Sequence, residues 1–212
     1  MTKIEMADVF ATGRRGGGGT LYAYRVRGRA RSGVVLWIGA RGDEPDQVFA
    51  VREAGRWKLP VFVTARQARV YVRRRGRKLA ASEVNTLELS RVQHWLEDPV
   101  RRKTPPGAVL EAWNFFEDLA RGIDAVHQLP QRGTAQNSAY EKLFEGECVT
   151  WTPDEQRAVL ELIRAGVELW NSCPVIINPF SGIVLEAGLA ARASPRTTER
   201  TPTPAPGCFA PA

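Results

Sequence analysis

Apolar positions recur along this chain with two periods, and the change falls near residue 64. Before it, short β-type runs dominate. Residues 20–26 are rich in β-branched and aromatic side chains. Residues 34–38, Val-Val-Leu-Trp-Ile between Gly33 and Gly39, form the unbroken apolar run that a buried central strand carries. Residues 47–52 read as a further strand. Ala54-Gly55-Arg56 reads as a tight turn, and Trp57-Lys58-Leu59 leads into Val61-Phe62-Val63. Four or five strands with short connections predict an antiparallel meander.

After residue 64 the helical period takes over. Thr64 with Gln67 three residues on is a capping-box pair. Ala65, Ala68, Tyr71 and Val72 then share a face, and Gly76 stands where a left-handed cap would end the helix. A strand through residues 69–73 is the rival reading. Asn85 or Thr86 is expected to cap a second helix lined by Leu89, Val92, Trp95 and Leu96, which Pro99 ends. A third helix is expected over residues 108–123, on a stripe of Val109, Ala112, Trp113, Phe116, Leu119 and Ile123. Residues 124–138 lack a period and read as a long loop. Thr152-Pro153-Asp154-Glu155 opens the clearest helix, with Val159, Leu160, Ile163, Val167 and Trp170 at helical spacing. Residues 175–177 suggest a last strand and 183–191 a weak helix. The fold class is therefore α+β: an antiparallel sheet of four or five strands from the N-terminal half, packed with about four helices. The expected organisation is a flexible segment over 1–19, one α+β domain over 20–178, a weak helix or extension over 179–193, and a disordered tail over 194–212, where Pro, Thr, Arg and Ala leave little to bury.

Charge sharpens this picture. The chain has 212 residues, 43% of them hydrophobic, and a net charge of +7. Residues 1–103 hold 22 Lys/Arg against 10 Asp/Glu, whereas residues 104–178 hold 5 against 11. Such a split makes either a polarised surface or two layers that neutralise each other. Three widely spaced cysteines and two histidines argue against a disulfide framework or a zinc site. Reduced thiols, no signal-peptide pattern and no long apolar run suggest a cytoplasmic protein outside the membrane. The run Gly16 to Gly19 lacks the lysine of a phosphate-binding loop.

Two constellations could carry function. Arg66, Arg69, Arg73, Arg74, Arg75, Arg77 and Lys78 crowd the first helix. They would contact a phosphate backbone or a protein partner, or simply form a solvated helix end. Arg25, Arg27, Arg29 and Arg31 would extend that patch or protect an edge strand. On the acidic side, Glu111, Glu117, Asp118 and Asp124 flank the third helix, with Glu117 and Asp124 two turns apart along one face. A carboxylate pair there would serve acid–base or metal chemistry; solvated helix acids are the alternative. His127 lies in the expected loop, and His94 on a helix flank. No catalytic residue, cofactor or metal ligand is assigned.

Ala112-Trp113-Asn114-Phe115-Phe116-Glu117-Asp118 and Tyr140-Glu141-Lys142-Leu143-Phe144 resemble paired landmarks of small bacterial proteins of unassigned activity. The resemblance spans residues 34–170 and implies an element order and no catalytic group. Small size and an acid-rich third helix are loosely similar to bacterial immunity proteins, which bind toxins. Three functions are therefore carried forward. They are a non-catalytic protein-binding module, of immunity type on the looser resemblance; a nucleic-acid-binding accessory protein; and a small hydrolase or metal enzyme.

Overall fold

A computed structural model describes residues 19–81, 84–146, 150–177 and 184–185. The glycine run up to Gly18, Cys148, the tail and most of the expected weak helix lie outside the described residues.

Strands β1 (Thr20–Arg27) and β2 (Ser32–Gly39) pair antiparallel along their whole length, from Thr20 opposite Gly39 to Arg27 opposite Ser32. The short β3 (Gln47–Val48) joins β2 antiparallel. On the far side of β1, β6 (Asn85–Leu87) pairs parallel, giving the order β3-β2-β1-β6. A second sheet runs β4 (Val51–Glu53), β5 (Arg56–Val61), β7 (Val175–Ile177), β8 (Val184–Leu185). Here β5 and β7 are parallel. Val34 and Phe62 exchange both backbone hydrogen bonds, at 2.7 and 2.9 Å, and tie the sheets together at β2.

The sheets are mixed, which corrects the expected antiparallel meander. Each parallel partner arrives after a helix has carried the chain back, as parallel pairing requires, and such a crossover leaves no trace in a local pattern. The run at 47–52 divides because Phe49 still donates to Leu36 O (2.8 Å) while Val51 already pairs with Lys58. Ala54 and Gly55 both take positive φ, 49° and 78°, as a two-residue hairpin turn demands. Val184 and Leu185 are strand, where a weak helix is expected.

Five α-helices are described: α1 (Ala65–Arg73), α2 (Leu89–Glu97), α3 (Pro106–Gly122), α4 (Thr134–Phe144) and α5 (Pro153–Ser172). Asn85 and Thr86 belong to β6 and do not cap α2, whose first residue follows Glu88 without a side-chain cap. The expected loop at 124–138 instead holds a 3-10 helix, Val126–Gln128, and the start of α4. Only Ala139 and Leu143 of α4 are buried, too few to print a helical period.

The strand β2 is buried on both faces, and its side chains divide the core. Val35 packs with Trp113, Phe115, Phe116 and Trp170 from α3 and α5. Val34, Leu36 and Ile38 pack with Ala68, Tyr71 and Val72 of α1. The basic helix and the acid-bearing helices thus occupy opposite faces of the first sheet.

Candidate functional site

The α1 surface is built by local rules. Thr64 Oγ1 accepts the Gln67 N–H (3.2 Å), and Gln67 Oε1 accepts the Val63 and Thr64 N–H groups (3.0 and 3.1 Å). At the other end Gly76 has φ 69°, and the Arg77 N–H reaches back to Val72 O (3.2 Å). With Ala68, Tyr71 and Val72 turned inward, Arg66, Arg73, Arg74 and Lys78 are exposed. Arg69, Arg75 and Arg77 are half-buried. The Arg75 guanidinium lies 3.6 Å from the Tyr71 ring centre, and Arg77 Nη2 donates to Gly19 O (2.5 Å). No acidic residue occurs between Thr64 and Ala81.

Arg27, Arg29 and Arg31 do not extend this surface. Arg27 pairs with Glu88 at 2.8 Å. Arg29 pairs with Glu97, which Arg102 also meets, and these two guanidiniums hold the Glu97 carboxyl down at about 2. Arg31 donates to Trp170 O (2.8 Å), Asn171 O (3.0 Å) and Cys173 O (3.2 Å), closing the C-terminal end of α5. Nor does β1 need edge protection, since β2 and β6 flank it.

The acidic constellation is only partly assembled. Glu117 Oε1 accepts from Trp113 Nε1 (3.0 Å) and Arg132 Nε (2.8 Å), and Oε2 accepts from Arg132 Nη2 (2.8 Å). This bidentate bond raises the Arg132 pKa further. The next residue after Glu117, the buried Asp118, bonds Arg121, whose Nε also donates to Asp46 O (2.9 Å). Burial pushes the Asp118 carboxyl up to about 6 against the opposing pull of Arg121, with Asp46 and Glu117 adding to the rise. Arg121 and Arg132 belong to no site expected from sequence. Arg121 was legible at i+3 and i+4 from the two acids. Arg132, fifteen residues beyond Glu117, was not.

Asp124 and His127 stand apart. Asp124 is exposed at φ 60°, just past the end of α3, where the Ala125 N–H bonds Ala120 O (2.7 Å). It is a helix-ending residue, and the expected alignment with Glu117 is lost because α3 stops at Gly122. His127 is exposed on the 3-10 helix. No group of three or more His, Cys, Asp or Glu that could hold a metal occurs among the described residues. Among them, too, no helix is long and apolar enough to cross a membrane.

The two landmark clusters meet in space. Trp113 and Tyr140 pack edge to face at 5.5 Å, the Tyr140 hydroxyl donates to Asn114 Oδ1 (3.0 Å), and Arg132 lies 4.9 Å from the Tyr140 ring centre. Nearby, Lys142, Ser138 and the Thr152 N–H surround Glu155 and hold its carboxyl at about 2. Comparison with protein-family models, curated proteins and solved structures finds no match.

Proposed function

We propose that the chain is a non-catalytic binding module that holds a nucleic-acid backbone against its α1 face. One observation carries this reading. The ion pairs between described residues all stay inside one half of the chain: Arg27, Arg29, Lys58, His94, Arg101 and Arg102 use acids before residue 104, and Arg121, Arg132, Lys142 and Arg157 use acids after it. Among the described residues no ion pair thus joins the acidic helices to α1, which lies across the sheet from them. The exposed Arg66 and Arg73, on a segment that holds no acid from Thr64 to Ala81, make a surface that attracts a polyanion. Protein interfaces centre instead on apolar or aromatic anchors and are depleted of charge there. Among the described residues around α1, only Val63 is an exposed large apolar side chain.

A protein partner, toxin-like as the immunity resemblance implies, is the second reading. It is favoured by Phe144, which is 69% exposed and stacked on Tyr140 at the end of α4. The enzyme reading gains little, because Glu117 is already held by two guanidiniums and an indole.

The test is titration of mixed DNA and RNA oligonucleotides at several salt concentrations. Binding should weaken steeply with salt, and Arg66→Gln with Arg73→Gln should flatten the log–log slope by about 2. Absence of binding at low salt, or a slope unchanged by the double substitution, rules the proposal out.

A further inference from the structure

Beside the Glu117 cluster lies a pocket of about 520 Å³, within the range of small-molecule sites. Its walls combine Arg121, Arg132 and Glu117 with the apolar side chains of Val126, Leu129 and Leu162. Counting donors and acceptors shows what it lacks. Glu117 Oε1 already accepts two hydrogen bonds, and Oε2 accepts one with Arg121 Nη1 at 3.9 Å. Arg132 spends Nε and Nη2 on that carboxylate, and Arg121 spends Nε on Asp46 O and Nη2 on Asp118. Nη1 of each guanidinium has no hydrogen-bond partner among the described residues. Glu117 Oε1 is thus filled and Oε2 already bonded, while a donor group on each guanidinium remains, so a group that brings acceptors of its own meets both.

The placement of charge gives the sign. The Asp118 and Glu117 side chains are 5% and 16% exposed, those of Arg121 and Arg132 30% and 44%. Carboxylates lie behind and guanidiniums in front, so the cluster turns its positive end outward although its formal charges cancel. Planar guanidiniums suit a carboxylate, and the Val126, Leu129 and Leu162 walls suit an apolar body.

We infer that this pocket binds a small organic anion, a carboxylate on an apolar ring or chain, with Arg121 and Arg132 holding the carboxylate. It is independent of the α1 face, on the other side of the first sheet.

The experiment is an NMR titration of the full, 15N-labelled chain with benzoate, and with benzamide as its uncharged counterpart. Benzoate at up to about 10 mM, well above the millimolar Kd expected of so small a ligand, should saturate shifts at the Nε–H groups of Arg121 and Arg132. Benzamide should bind at least about tenfold more weakly, since it lacks the charge that the guanidiniums select. Val126→Trp, at an exposed wall position that leaves the core intact, should fill the pocket and abolish the benzoate shifts. No saturable benzoate shift, equal affinity for both probes, or shifts unchanged in Val126→Trp would each overturn the inference.

Discussion

At the scale of single residues, Asp118 is where burial and pairing oppose each other. The side chain is buried, yet Arg121 bonds it, and burial wins, so the carboxyl titrates near 6 where 3.8 is ordinary. The sign follows from proton counts. Below the ordinary value both the folded and the unfolded chain hold the proton. Between about 4 and about 6 only the folded chain still holds it, so raising the pH favours unfolding. Above about 6 that loss is complete, and it amounts to at most about 3 kcal/mol. Asp118→Asn removes this dependence. The variant should therefore gain stability relative to the parent between pH 4 and pH 7, measured by urea unfolding at each pH. A difference that stays constant would show that Arg121 offsets the burial in full. Glu155 has the opposite sign: its contribution is present above 4.5 and lost as pH falls toward about 2. Both capping boxes, Thr64 with Gln67 and Thr152 with Glu155, were legible because their partners lie three residues apart. The Arg132–Glu117 bond was not, since its reach depends on a turn between α3 and α4 that no spacing rule supplies.

Among the elements, the contact of α3 with α5 depends on a missing side chain. A Cβ on Gly166 would come within 2.1 Å of Phe116 Cδ2. The helices approach closely there because glycine leaves the room, and Phe116 is fully buried in it. Alanine is the better helix former by about 1 kcal/mol, but the overlap should outweigh that. Gly166→Ala is expected to lower stability by about 1–3 kcal/mol, read from the denaturation midpoint. A more stable variant would mean that Phe116 can move aside. The helical stripes of α3 and α5 could be read from sequence because each buries a continuous face. The start of α4 could not, having only two buried side chains, and β6 reads as the capping turn of α2 because three strand residues print no alternation.

For the molecule as a whole, charge divides into structural and surface parts that composition alone cannot separate. Arg31 serves the fold: three carbonyls at the end of α5 accept its hydrogen bonds. Arg66 and Arg73 project from α1 and are exposed. Arg31→Gln should therefore destabilise the chain by about 1–3 kcal/mol by leaving those acceptors unmet. Arg66→Gln with Arg73→Gln should leave the Tm within about 2 °C, as for surface charges generally. Thermal unfolding of both variants checks this, and equal losses would show that α1 is electrostatically bound into the fold.

The sequence alone determined what depends on neighbours in the chain: the buried run of β2, both capping boxes, the hairpin turn at Ala54-Gly55, the helical stripes, and the uneven charge. Only the tertiary structure decided which strands lie parallel, that the basic helix and the acidic helices take opposite faces of one sheet, and that Glu117 meets Arg132 beside a pocket. Those outcomes depend on contacts between residues far apart in the chain. Periodicity carries no information about them, because the same local pattern is compatible with more than one pairing.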